Sequence, residues 1–271
     1  NQTRTAGHLK RVLAQKLQFR SEPDVIQFNR QARGSIDKRM LHQLGADNYN
    51  VFTKTRTDSF TPVLIHLTLD ASGSMLGSKW TNAINLATAL AVLADNNPMI
   101  EVVVSVRGTG VAGTDFTACI AIIHDSRKRP FVESEEVFRR VAPSGYTPEA
   151  LCFAATLDLL TEETNMDTYF INVSDGMPDF TVPVVGGGRF QYGSVSAIPH
   201  TNLMVRRMQE AGVRVMSYFV GSGIDQKTDE DTFRMLYKDT ARFVDIQSMS
   251  DILRTLETFL SDRNDMKRSF G

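Results

Sequence analysis

The chain has little cysteine: only Cys119 and Cys152 occur in 271 residues. Two thiols cannot build a disulfide framework, and no CxxC or Cys/His spacing of a zinc site is present. Cys119 sits in a strand-like apolar run and Cys152 in a helix-like one, so both read as buried thiols of a reducing compartment. No run of eighteen apolar residues exists, so no membrane-spanning helix is expected. No Gly-Lys-Ser/Thr triplet follows a glycine-rich turn, which argues against a phosphate-binding loop. No signal-peptide pattern follows Asn1, and with the thiols this leads to the expectation of a cytoplasmic location. Tryptophan is represented by Trp80 alone. Internal repeats and low-complexity stretches are missing as well.

Charge is nearly balanced, at -1 overall, which argues against a nucleic-acid partner. Residues 1–60 carry 11 Lys and Arg against 5 Asp and Glu, and the remainder 19 against 26. The basic residues are scattered, so they read as solvated helix faces rather than a binding arm. Leu9, Val12, Leu13 and Leu17 recur at helical spacing within 7–20, and a short helix is expected from Ser35 to a stop at Gly45. Residues 1–61 are therefore expected to form a helical extension packed on a main domain of 62–271.

From Pro62 the pattern alternates. Strand-like runs cover 63–69, 101–107, 117–124, 168–174, 214–220 and 242–246. Helix-like runs cover 78–96, 134–141, 148–161, 201–212, 230–237 and 249–262. Near-continuous apolar strands alternating with helices predict an α/β fold: a doubly wound, mostly parallel sheet with helices on both faces. The pair 101–107 and 117–124 is the expected antiparallel edge. One long connection, Phe180 to His200 with Gly186-Gly187-Gly188, reads either as a surface loop or as a partner-binding insertion.

Three segments place oxygen donors at strand or helix ends. Asp70-Ala71-Ser72-Gly73-Ser74 closes the first strand of this domain. Thr147 precedes Pro148, a residue suited to the first position of a helix. Asp175-Gly176 closes the strand Thr168–Ser174. Open α/β sheets bind ligands beyond the carboxyl ends of their strands, and hard oxygen donors suit a hard divalent cation. Asp70, Ser72, Ser74, Thr147 and Asp175 are therefore the candidate metal residues.

Those residues, in that order, resemble the metal-ion-dependent adhesion site of von Willebrand factor type A domains, over roughly residues 62–262. The resemblance implies Mg²⁺, with Mn²⁺ or Ca²⁺ as alternatives. Ser72, Ser74 and Thr147 would then coordinate directly, and Asp70 and Asp175 through water or at one remove. It further implies a partner protein that offers an Asp or Glu to the metal. Leu9–Gln18, Gly34–Leu41, Leu69–Met75, Thr147–Leu151 and Val173–Pro178 are similar to the C-terminal part of the cobaltochelatase CobT subunit. Ala71 departs from that family, which has Asn there, and no long acidic region precedes the domain. This likeness implies work beside an AAA+ ATPase of the CobS or MoxR type, in an ATP-dependent cobalt chelatase of cobalamin synthesis. The chain would not be catalytic on its own.

The alternatives are a phage or bacterial structural or adhesion protein, and a haloacid-dehalogenase-type phosphatase with Asp70 as nucleophile. The phosphatase needs a second acid two residues on, where Ser72 stands. His8, His42, His66, His124 and His200 lack ligand spacing and read as structural. Trp80 reads as a packing residue. Lys79 has two readings, one facing the metal edge and one as a solvated lysine at a helix start, and the second is preferred.

Overall fold

The computed structural model describes residues 24–46, 49–58, 62–109, 117–161, 166–176, 178–184, 186–221 and 226–243. The helices expected at 7–20 and 249–262 lie outside the described residues. In the extension, the described part holds three strands and one 3-10 helix but no α-helix. Strands β1 (Asp24–Gln31), β2 (Ser35–Ile36) and β3 (Phe52–Asp58) form an antiparallel sheet in the order β1-β3-β2. Only the tight 3-10 helix Lys38–Ala46 replaces the expected helix from Ser35. Gly34 explains the difference: a Cβ there would stand 2.3 Å from the Thr53 carbonyl, so this glycine lets two strands meet closely.

The main domain contains β4 (Val63–Asp70), β5 (Ile100–Gly108), β6 (Cys119–Asp125), β7 (Asp167–Ser174), β8 (Asp179–Pro183), β9 (Arg189–Gly193), β10 (Arg214–Phe219) and β11 (Ala241–Phe243). Six of these form a sheet in the order β11-β10-β7-β4-β5-β6. All its pairings are parallel except β5 with β6, the expected antiparallel edge. The chain leaves β4 toward β5 and β6, then crosses back to β7 and runs on to β10 and β11. The order reverses between β4 and β7, which is where such sheets open a crevice.

Alternation along the strands assigns the two faces. Ile65, Leu67 and Leu69 of β4 and Tyr169, Ile171 and Val173 of β7 pack with Leu86 and Leu90 of α1 (Ser78–Asp95). Phe138 of α2 (Phe131–Arg140) joins the same cluster. Phe170 points the other way. It packs with Phe153 of α3 (Glu149–Thr161), Met204 and Met208 of α4 (Ser194–Glu210), and Phe233 of α5 (Gln226–Tyr237). Each such fully buried side chain contributes about 1.5–3 kcal/mol.

The connection 180–200 is not a loop. It is the β8–β9 hairpin followed directly by α4. Pro199 lies inside that helix. A proline there removes a helical hydrogen bond, which is why sequence alone starts the helix after it. The structure starts it at Ser194, where the Ser196 hydroxyl accepts the Gly193 N–H at 3.2 Å.

His66 is a core residue, as expected. It is buried beside Ser105, with Nε2 and Oγ 2.8 Å apart, and meets the Phe170 ring edge-on. Burial, then the charge of Arg127, push its pKa down to about 4, while Asp125 pulls weakly the other way. The folded protein therefore refuses a proton that the unfolded chain accepts below its ordinary value of 6.5. Stability is lost as pH falls from 6.5 toward 4, by up to about 3 kcal/mol from this one residue. Urea unfolding of wild type and His66→Gln at pH 7 and pH 4.5 checks this. The wild type should lose more stability than the variant over that interval, and equal losses would rule the assignment out.

Candidate metal centre

The five candidate residues converge at the carboxyl ends of β4 and β7, beside the reversal of strand order. Asp70 is the last residue of β4 and is buried. Its Oδ1 accepts the Ser72 backbone N–H at 2.9 Å, an Asx-type turn that swings the chain out of the strand. Ala71 locks the turn from both sides, donating to the Arg107 carbonyl at 2.8 Å and accepting from Ser144 N–H at 2.7 Å. A fully buried Ala71 fits this crowded place.

From Asp70 the contacts run outward. The Ser72 and Ser74 hydroxyl oxygens are 3.0 Å apart, and Ser74 donates to Asp175 Oδ1 at 2.8 Å. The Thr147 hydroxyl reaches Asp70 Oδ1 at 3.5 Å, a long contact. Ser74 is exposed, while Ser72, Thr147 and Asp175 are buried. The site thus has a closed floor and an open top.

Thr147 is held by two devices. Its backbone exchanges both hydrogen bonds with Asp179, at 2.8 and 3.1 Å, so the base of the β8–β9 hairpin clamps it. The turn before it uses Gly145 at φ 76°, a left-handed conformation that suits glycine. The Gly145 carbonyl accepts the Gly73 N–H at 3.1 Å, which ties the threonine loop to the serine loop.

Beneath Asp70 lies a charged network that sequence reading missed. The Ser174 hydroxyl donates to Asp70 Oδ2 at 2.7 Å. Arg107 of β5 is completely buried, with its Nη2 3.8 Å from the same oxygen. Its Nε and Nη2 donate to Glu149 Oε2 at 3.0 and 2.8 Å, and its guanidinium lies 5.4 Å from the centre of the Phe153 ring. Asn172 donates to Glu149 Oε1 at 3.2 Å, and the Tyr237 hydroxyl donates to the same oxygen. Burial opposes the charge on Arg107, but Glu149 and then Asp70 outweigh it and hold the guanidinium above its ordinary value. Burial pushes the Glu149 carboxyl up, against the pull of Arg107. One signal was available: Arg107 is a charge directly after the run Val102–Val106, in a strand expected to be buried, and a buried charge needs a partner.

Lys79 takes the other of its two expected readings: it faces the candidate site and is not a solvated lysine. Its side chain is 14% exposed, and Nζ donates to Asp175 Oδ2 at 2.5 Å and to the Ser74 carbonyl at 3.4 Å. Trp80 is a packing residue, as expected, with its indole N–H donating to the Val141 carbonyl at 3.1 Å. Cys152 is buried and Cys119 half-buried, both free.

The donor set is all oxygen: two carboxylates and three hydroxyls from three loops. Among the described residues no group of three or more His, Cys, Asp and Glu side chains could hold a metal. Hydroxyl and carboxylate oxygens are the ligands that hard cations take. The residues present fit a hard divalent cation.

No family model matches the chain, and no curated protein does. Similarity to solved structures is clear in fold alone. The pilus adhesin SpaC from Lactobacillus rhamnosus GG, in its open conformation, aligns at a TM-score of 0.54 and 15% identity over 73% of this chain. The chain spans only 30% of that adhesin. The vWF domain of the type V pili tip protein Mfa5 from Porphyromonas gingivalis aligns at 0.53 and 11% identity, over 72% of this chain and 95% of that domain. Three N-terminal domains of Mfa5 align at 0.54 and 11% identity, over 84% of this chain and 54% of theirs. With its six-stranded sheet and flanking helices, the chain has an α/β fold of the von Willebrand factor type A kind.

Proposed function

We propose that the chain is a divalent-metal-dependent protein-interaction module. The observation that carries this reading is the convergence of Ser72, Ser74, Thr147, Asp70 and Asp175 at the open edge of the sheet. Ser72, Ser74 and Thr147 would hold a cation, Mg²⁺ in the first instance, with Asp70 and Asp175 behind them. The cation, when bound, supplies positive charge for an incoming carboxylate oxygen from a partner's Asp or Glu. The protein's own residues do the rest. Asp70 is braced by Ser174 and Arg107, so it cannot swing outward. Ser74 stands exposed at the entrance. Hydroxyl donors carry no charge, which leaves the cation attractive to an anion. No carboxylate stands two residues after Asp70, where the phosphatase alternative needs one.

Two partners remain in play. An AAA+ ATPase is favoured by the CobT-like segments, and with it a place in cobalt chelation. An adhesive role is favoured by the fold shared with pilus tip proteins. Among the described residues no helix is long and apolar enough to cross a membrane. The test is to present the purified chain to a purified AAA+ ATPase of the CobS or MoxR type, in Mg²⁺ and in EDTA. Capture in Mg²⁺ that EDTA abolishes is the expected result. Equal capture in both, or none, would remove the ATPase partnership.

A further inference from the structure

The network at the site joins three carboxylates to two cations. Asp70 and Glu149 share Arg107, and Asp175 is paired with Lys79. The set therefore carries one net negative charge before a metal binds. A divalent cation leaves it at one net positive, and a single partner carboxylate returns it to zero. Without Lys79 the same set would carry two negative charges, which a divalent cation alone would cancel.

We propose that Lys79 is a built-in counter-cation that shares Asp175 with the metal, lowering the site's affinity for the metal and raising the metal-loaded site's affinity for a carboxylate. The inference rests on the metal-dependent reading above and adds a residue to it. The geometry is specific. Lys79 is the second residue of α1, and its ammonium is anchored at both ends of one contact chain: Asp175 on β7's edge and the carbonyl of Ser74. Ser74 itself donates to Asp175. Lys79, Asp175 and Ser74 form a closed ring, Ser74 meeting the lysine through its carbonyl and the carboxylate through its hydroxyl. The ammonium is largely excluded from solvent, where charges a few ångströms apart interact far more strongly than in water.

The sign of the effect separates this role from a structural one. A lysine that merely supported the loop would, on removal, weaken metal and carboxylate binding together. A counter-cation moves them in opposite directions. The probes are Mn²⁺, followed by water-proton relaxation, and then acetate added to the Mn²⁺-saturated protein. In Lys79→Met the Mn²⁺ dissociation constant should fall about tenfold and that for acetate should rise about tenfold. Lys79→Gln keeps a donor for Asp175 without the charge and should shift both constants the same way, which covers a failure of the methionine variant to fold. Lys79→Arg keeps the charge and should follow the wild type. Neutral variants that bind Mn²⁺ no more tightly than the wild type would overturn the role of Lys79 and leave the metal site standing. If the wild type and every variant bind no Mn²⁺, the metal reading fails and the role of Lys79 falls with it.

Discussion

Replacing Arg107 by methionine is expected to destabilise the protein by about 3–5 kcal/mol, the cost of leaving a buried ion pair without one partner. The size follows from what the guanidinium does. It is fully buried, satisfies Glu149 with two hydrogen bonds, stands 3.8 Å from Asp70 and lies against Phe153. Methionine keeps much of the stem and its packing, so the loss reports charge rather than volume. Two carboxylates would then face each other in the core with no cation between them. The companion substitution, Glu149→Leu on the Arg107→Met background, removes the stranded carboxylate, so part of the stability should return. Urea denaturation of the two variants reads this coupling directly. A double variant no more stable than the single one would mean that Arg107 acts mainly through packing.

Asp70→Asn is expected to weaken divalent metal binding by at least about 100-fold, whereas Ser74→Ala and Thr147→Val each cost about tenfold. Asp70 is the buried candidate at the floor of the site, joined to both the serine and the threonine loops. It accepts from Ser72, Ser174 and Thr147 and faces Arg107. The amide of asparagine would aim an N–H₂ group at Ser174 or Arg107 and remove one negative charge from the site. The two hydroxyl variants take away a donor without altering charge. In EDTA their unfolding free energies should stay within about 1 kcal/mol of wild type. Calorimetric titration with Mg²⁺ measures the ranking. An Asp70→Asn protein that binds Mg²⁺ as well as the Ser74→Ala protein would contradict it.

Much of this was legible in the chain because it is local. The run Val63–Leu69 is apolar at every position but two, His66 and Thr68, and ends abruptly in a polar turn. A strand buried on both faces must look like that. The five oxygen donors lie at the ends of such runs, so pattern alone brings them to one edge of the sheet. The sheet's antiparallel edge was legible for the same reason, from two strand-like runs joined by a glycine-rich link.

What could not be read is pairing at a distance. Lys79 and Asp175 are 96 residues apart, and Tyr237 and Glu149 are 88 apart. Nothing near Lys79 distinguishes a solvated helix-start lysine from one aimed at a carboxylate. The β8–β9 hairpin was hidden by composition. Three glycines, Gly186, Gly187 and Gly188, all with φ between 90° and 114°, make a turn that resembles a loop in sequence. The extension misled for the opposite reason. Met40 and Leu41 fall at helical spacing after Ile36, but a close approach at Gly34 commits Ser35–Ile36 to a strand, and the helix that follows, Lys38–Ala46, is of the 3-10 kind.

The central claim is that Asp70, Ser72, Ser74, Thr147 and Asp175 make one divalent cation site. Equilibrium dialysis against Mn²⁺, counted by electron paramagnetic resonance, tests it most directly. The expected result is saturable binding of one ion per chain, displaced by Mg²⁺ and lost in Asp175→Asn. Binding that does not saturate, or that survives unchanged in both Asp70→Asn and Asp175→Asn, would contradict it.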